Sequence, residues 1–331
     1  MGFPGYPKTI LELSQWFPDD GACRRYLEQL WWPDGFVCPS CGGKDCWRMA
    51  KGVIRCKTCR GETSVTAGTI FADTRTPLPI WFHAAWRMVD SQNGISARTL
   101  RKSLGIEDYR LAFRILHRLR RVVVDPDRSQ LVGPVEVDDI YVGGNELGVI
   151  GRETRTKSVV GVAVEAREYE KETRRGLKIV RVAGRVRLGI MPDAGKESFR
   201  DFVNWAVEPG SIVYTDSHPG IQPLEGFEHR RFNLKRSGVP AHRSLPHVHR
   251  VASLLKRWLN GTHQGAATRK HLSFYLDEFT WRFNRRHWQA GARFRRLLER
   301  AVLTEQVTYE QLKGGLSQWQ PEAGRPLHPT A

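Results

Sequence analysis

Pro134-Val135-Glu136-Val137-Asp138-Asp139-Ile140-Tyr141-Val142-Gly143-Gly144 alternates apolar residues, sets two adjacent carboxylates in their midst and ends on a glycine pair. That is the pattern of a central strand. Neighbouring strand side chains point to opposite faces. Val135, Val137 and Asp139 therefore share one face, and Glu136, Asp138 and Ile140 share the other. Asp138 and Asp139 cannot both face one core, so one must project into a site. A carboxylate in mid-strand is costly to bury unless a charge or a metal compensates it. The bland alternative is a strand edge carrying two solvated acids.

Downstream, Ser158 to Val164 and Leu177 to Val182 read as two further strands, the second continued by Arg185 to Ile190. A charged turn, Glu165 to Arg175, is expected between them. Three successive strands without a helix predict an antiparallel meander. Glu197 to Ala206 then places Phe199, Phe202, Val203 and Ala206 at helical spacing. Next, Ser211 to Asp216 is a short apolar strand that ends in an acid and runs into the turn residues Ser217-His218-Pro219-Gly220. The order βββαβ with a terminal acid is that of an RNase H-like core, an α/β (α+β) fold. There the first and fourth strands lie side by side, so Asp138 and Asp216 can share a metal. A helix starting near Pro246 gathers Val251, Leu254, Leu255, Trp258 and Leu259 on one face. His249, Ser253, Lys256 and Asn260 form the opposite stripe, with His249 and Lys256 seven residues and two turns apart.

Upstream, Cys38-Pro39-Ser40-Cys41 and Cys56-Lys57-Thr58-Cys59 are separated by 14 residues. Paired C-x2-C knuckles on a short β-rich linker are the signature of a tetrahedral structural zinc site. Cys46 competes as a ligand, but its spacing from Cys41 suits a knuckle less well. A segment this small cannot bury a core, so the metal supplies its folding free energy. Leu78 to Val89 predicts one helix. Ile95 to Ile106 gives a short helix and a glycine turn, and a second helix follows from about Asp108. Ala112, Ile115, Leu116, Leu119 and Val123 lie on one face of that second helix, and Arg110, Arg114, Arg118, Arg120 and Arg121 occupy much of the rest. This is helix-turn-helix geometry with a basic recognition helix; the plain alternative is a basic helical pair used for packing. The first residues form two short helices broken at Phe17-Pro18. Cys23 in the second reads as a buried small hydrophobe.

The chain of 331 residues carries a formal charge of +17 with 40% hydrophobic residues. Such charge suits a polyanion partner better than an ordinary metabolite. It is also clustered: residues 230–300 hold 17 Lys and Arg against Asp277, Glu278 and Glu299, and residues 98–121 hold eight against Glu107 and Asp108. No apolar run reaches the length of a membrane span, and Met1 to Ile10 does not read as a signal peptide. A cytoplasmic, nucleoid-associated location is expected, with cysteines as metal ligands or free thiols.

The succession of zinc ribbon, helix-turn-helix, VEVDDIYVGG (135–144), VYTDSHPG (213–220), HVHRVASLLKRWLNGTHQG (247–265) and YLDEFTWRFNRR (275–286) resembles the insertion-sequence transposases with an ISXO-like DDE domain, over about residues 20–290. The resemblance implies five segments: a helical lead (1–35), a zinc ribbon (36–70), a helix-turn-helix (77–125), an RNase H-like DDE catalytic domain (131–290) and a C-terminal extension and tail (291–331). It implies DNA cleavage at element ends and strand transfer, with Asp138, Asp216 and His249 binding Mg²⁺ or Mn²⁺ and Lys256 assisting. Its implied partners are terminal inverted repeats, target DNA and further copies of the chain. The interval of 33 residues from Asp216 to His249 suits such enzymes. Where the family usually has Glu, this chain has His249, a softer ligand that leaves the site one negative charge poorer. Glu225, Glu228 and His247 are rival third ligands; Asp139 takes no metal role. Arg282, Arg285 and Arg286 are expected on DNA phosphates. The residues after about 316 read as a mobile tail. The alternative function is a catalytically inactive DNA-binding regulator or domesticated transposase.

Overall fold

In the computed structural model, residues 5–124, 129–143, 157–174, 176–216, 223–232, 244–263 and 269–306 are described, apart from the side chains of Lys51, Arg269 and Lys270. The expected tail after 316 lies outside them. The chain divides into two compact units, one of residues 1–123 with 287–314 and one centred on 124–286.

The first unit gathers short elements whose starts are written in the sequence. Thr9 caps α1 (Ile10–Trp16), Asp19 caps α2 (Asp20–Trp31), Ser96 caps α4 (Ala97–Ser103) and Asp108 caps α5 (Tyr109–Val122), each side chain accepting a first-turn amide. Between α2 and α3 (Leu78–Asp90) lies a three-stranded antiparallel sheet, β1 (Cys46–Arg48), β2 (Val53–Cys56) and β3 (Glu62–Ser64). The last described helix, α9 (Ala290–Ala301), returns to this unit rather than extending the second. Its Phe294 packs edge-on against Phe82 and Trp86, and the Arg300 guanidinium donates to the Val122 carbonyl at 3.0 Å. The helical lead joins the same core through Phe17, whose ring lies 4.7 Å from that of Phe82. Aromatic edge contacts of this kind add about 1 kcal/mol each beyond burial.

The second unit is a five-stranded sheet in the order β6-β5-β4-β7-β8. Its strands are β4 (Pro134–Val142), β5 (Ser158–Thr173), β6 (Gly176–Met191), β7 (Ile212–Asp216) and β8 (Glu228–Phe232). β4, β5 and β6 form the expected antiparallel meander, and β4, β7 and β8 run parallel. The stretch 134–142 is thus the central strand, paired on both edges and covered on both faces. Val135 and Val137 face α6 (Lys196–Ala206), where Phe202 and Val203 are fully buried. Gly161 permits that approach, because a β-carbon there would meet the Phe202 ring at 2.6 Å. On the opposite face, Ile140, Val160, Val162 and Leu188 pack against α7 (Pro246–His263) and α8 (Arg269–Asn284) through Val251, Leu255, Leu259 and Leu276.

The charged turn expected at Glu165–Arg175 is instead strand through Thr173, and β6 runs unbroken through Gly176–Met191. The misreading has a physical cause. Residues 167–172 are exposed on both faces, so no apolar alternation marks them as strand.

Candidate active site and metal centre

Glu136, Asp138 and Ile140 face α7, as the alternation requires. Glu136 is 5% exposed and accepts the backbone amides of His247 (2.8 Å) and Val248 (2.9 Å). These belong to the first turn of α7, whose amides have no partner within the helix. A carboxylate from the sheet therefore closes the start of the helix that carries His249 and Lys256. Burial pushes the Glu136 carboxyl up to about 7, the two amides and Arg181 opposing.

Past this clamp, Asp138, Asp139, Ile140 and Tyr141 of β4 and His249, Ala252, Ser253 and Lys256 of α7 line one cleft of about 520 Å³. The helical residues lie at i, i+3, i+4 and i+7, a single stripe. His249 is half-buried and Lys256 exposed. Asp138 and Asp139 point to opposite faces, and Asp138 Oδ1 accepts the Asp139 amide at 2.8 Å. Asp216 closes β7. That strand pairs in parallel with β4 through Pro134↔Ile212, Val135↔Val213 and Glu136↔Tyr214. The paired register ends there, two residues short of Asp138 and Asp216, and Asp216 is not among the residues that line the cleft. Among the described residues, only the four knuckle cysteines bring three or more ligand atoms within 4.8 Å of one another.

The rival ligands stand elsewhere. Glu225 lies in an exposed turn, and Glu228 pairs with Arg230 on β8. His247 is buried, with Nε2 4.0 Å from Glu136 Oε1, and desolvation lowers its basicity.

The expected DNA-binding arginines divide in two. Arg110 and Arg114 are exposed on α5. Arg118 turns inward, donating to the Ile70 carbonyl at 3.0 Å, and Arg120 is buried. Arg282 sits 3.7 Å from the buried Glu278 carboxylate, and Arg285 lies over the Trp281 ring. Arg286 donates to the carbonyls of Ala183, Gly184 and Phe283. Asn284 bonds both the amide and the carbonyl of Val186. The FNRR run thus ties the end of α8 to the free edge of β6 and satisfies its backbone groups. A charge cluster in the sequence does not reveal which way each guanidinium points.

In the first unit the knuckles are near-copies. Cys38 exchanges backbone bonds with Gly42 and Gly43, as Cys56 does with Arg60 and Gly61. Gly42 and Arg60 occupy the same left-handed position, at φ 71° and 63°. Sulfur separations of 3.7 Å (Cys38–Cys59) and 3.6 Å (Cys41–Cys56) match the edge of a tetrahedron with Zn–S near 2.3 Å, which is about 3.8 Å. The amides of Cys59 and Thr58 lower the Cys56 thiol to about 6, and that of Ser40 lowers Cys38. At Cys41 the Gly43 amide acts in the same direction, but the neighbouring thiols outweigh it and raise the group to about 12. A dication removes that mutual opposition, and the four residues fit Zn²⁺. Cys46 stays outside the cluster, and Cys23 is buried in α2.

Residues 130–284 match the family model described as ISXO2-like transposase domain, and residues 18–62 match the one described as transposase zinc-ribbon domain. The chain carries the two domains of the zinc-ribbon, ISXO2-like transposases. An uncharacterized protein in transposable element ISH50 of Halobacterium salinarum is 27% identical over 278 residues, which cover 80% of this chain and 91% of that protein. The ISXO2-like match spans the sheet, α6, α7 and α8, so the cleft falls within the transposase domain. Among the described residues no helix is long and apolar enough to cross a membrane.

Proposed function

We propose that this transposase acts as a DDE-type enzyme on an RNase H-like sheet, with Asp138, Asp216 and His249 as its metal ligands. The observation that supports the reading is the cleft that Asp138 shares with His249 and Lys256, with Asp216 ending the strand that runs parallel beside β4. Two carboxylates and an imidazole suit Mg²⁺ or Mn²⁺, with the imidazole favouring the softer Mn²⁺. Bound there, the metal would supply charge stabilisation to the phosphoryl group and activation of the attacking oxygen. Asp138 and Asp216 hold the cation on rigid strands. His249 approaches from the helix that Glu136 fixes. Lys256, two turns further on and exposed, neutralises phosphate oxygens as DNA enters the cleft. The substrates of this reading are the terminal inverted repeats and target DNA. Hydrolysis at the element end frees a 3′-OH that then attacks the target strand. The α4–α5 pair acts as the helix-turn-helix, with Arg110 and Arg114 on phosphates, and copies of the chain assemble on the paired ends.

The test is cleavage and strand transfer on DNA carrying the element ends. Asp138→Asn and Asp216→Asn should each abolish both steps while leaving DNA binding intact. His249→Ala should impair the same steps, and His249→Glu should shift preference from Mn²⁺ toward Mg²⁺. Lys256→Ala should weaken strand transfer less than the aspartate changes do. Full activity of His249→Ala with both metals would remove His249 from the ligand set. Binding without cleavage by the unaltered protein in either metal would make it a DNA-binding regulator.

A further inference from the structure

The tip of the β5–β6 hairpin leaves the core: residues 167–172 and 176–179 are exposed. β4 pairs with β5 only as far as Val135↔Glu165, whereas β5 and β6 stay paired from Ala166↔Ala183 to Thr173↔Gly176. This stretch runs beyond β4 as a two-stranded ribbon. Such ribbons are marginal alone in water, so their side chains report what they are kept for.

The cross-strand register sorts those side chains by charge. Arg167, Tyr169 and Lys171 stand opposite Val182, Val180 and Lys178; Glu168, Glu170 and Glu172 stand opposite Arg181, Ile179 and Leu177. Directly opposed residues share a face and successive residues alternate. All three glutamates of the ribbon therefore face one way, and Arg181 joins them there, its Nε 2.7 Å from Glu168 Oε1. The other face carries Lys171, Lys178 and Tyr169, together with Arg167, whose guanidinium is paired with the buried Glu165 at the base of the ribbon. Lys171 and Lys178, both exposed, are directly opposed. Like charges in that position destabilise a ribbon, unless an anion lies across them. Tyr169, 49% exposed, adds an aromatic surface on the same face.

We infer that the basic face of this ribbon is a second DNA-contact surface, on which Lys171 and Lys178 hold duplex phosphates beside Tyr169. The inference rests on the DNA-processing reading above and extends it to an element remote in sequence from the helix-turn-helix. A two-stranded ribbon has the width to enter a major groove. With the glutamates on the opposite face, only one side of the ribbon can approach a polyanion.

The experiment measures binding of the zinc-loaded full chain to a labelled random-sequence duplex across a series of salt concentrations. Lys171→Ala with Lys178→Ala should reduce the slope of log K against log salt by about 2, one contact per lysine. Glu170→Gln with Glu172→Gln should not reduce it. Thermal stability separates this from a structural role, because removing two opposed lysines should leave the melting temperature unchanged or higher. An unchanged slope in the lysine variant, with steep salt dependence in the unaltered protein, overturns the ribbon proposal and leaves the DNA reading standing. Salt-independent binding by the unaltered protein overturns both. If the lysine variant keeps its slope but the glutamine variant loses self-association in sedimentation, the ribbon is a protein contact and the proposal fails.

Discussion

At the scale of single residues, Glu136 and Arg118 reveal roles that side-chain type did not announce. Glu136 looked like one more strand acid, yet it closes the first turn of α7. Glu136→Ala leaves two buried amides without an acceptor. It should lower stability in urea unfolding by about 2–4 kcal/mol and slow DNA cleavage. Glu136→Gln keeps an acceptor oxygen and should restore most of both. If Gln behaves like Ala, the clamp is not the reason the residue matters. Arg118 lies in a basic helix but donates to the Ile70 carbonyl. Arg118→Ala should therefore reduce the melting temperature of the first unit without changing the salt slope of DNA binding. Arg114→Ala should do the reverse, because its side chain is exposed.

At the scale of elements, the zinc ribbon and the long hairpin lean on different forces. The ribbon's sheet has three strands of three to four residues, too little to stand without metal. Metal analysis should find about one zinc per chain. Cys38→Ser should lose it with local unfolding, while Cys46→Ser should retain it; zinc retained by a chain lacking all four knuckle thiols would refute the site. The hairpin is pinned at the bulge between Val164 and Ala166. There the buried Glu165 receives the Arg185 and Arg167 guanidinia and the Arg185 amide. Burial alone would raise its carboxyl, but these donors win and hold it below the usual range. A depressed folded-state pKa contributes stability that is present above the unfolded value and lost as pH falls through the folded one. The second unit should thus weaken on acidification below about pH 4.5, the ordinary glutamate value. Glu165→Gln should flatten that dependence. At neutral pH it should cost about 3 kcal/mol, since it strips the charge from a buried ion pair. A pH profile identical in the variant and the parent would show that another group sets the acid limit.

At the scale of the whole molecule, a charge of +17 is spread over two units whose arginines divide between surface and interior. Net charge points to a nucleic-acid partner, while only some of these side chains lie at the surface. What the sequence determined was local. Cysteine spacing set the knuckles, because two thiols on one tight turn can converge on one ion. Alternation marked 134–142 as a strand with Asp138 and Asp139 on opposite faces. Helical periodicity put His249, Ser253 and Lys256 on one stripe. The motifs also carried the transposase resemblance that the family matches bear out. What only the tertiary structure decided was which distant groups meet. The parallel β4–β7 pairing joins residues 78 positions apart, Glu136 reaches amides 111 and 112 residues away, and Asn284 reaches the edge of β6 across 98. The return of α9 to the first unit and the inward turn of Arg282, Arg285 and Arg286 belong to the same class. Local periodicity fixes the face on which a side chain lies, because it follows from backbone geometry over a few residues. The partner across from that face depends on the path of the whole chain, which no short window of sequence contains.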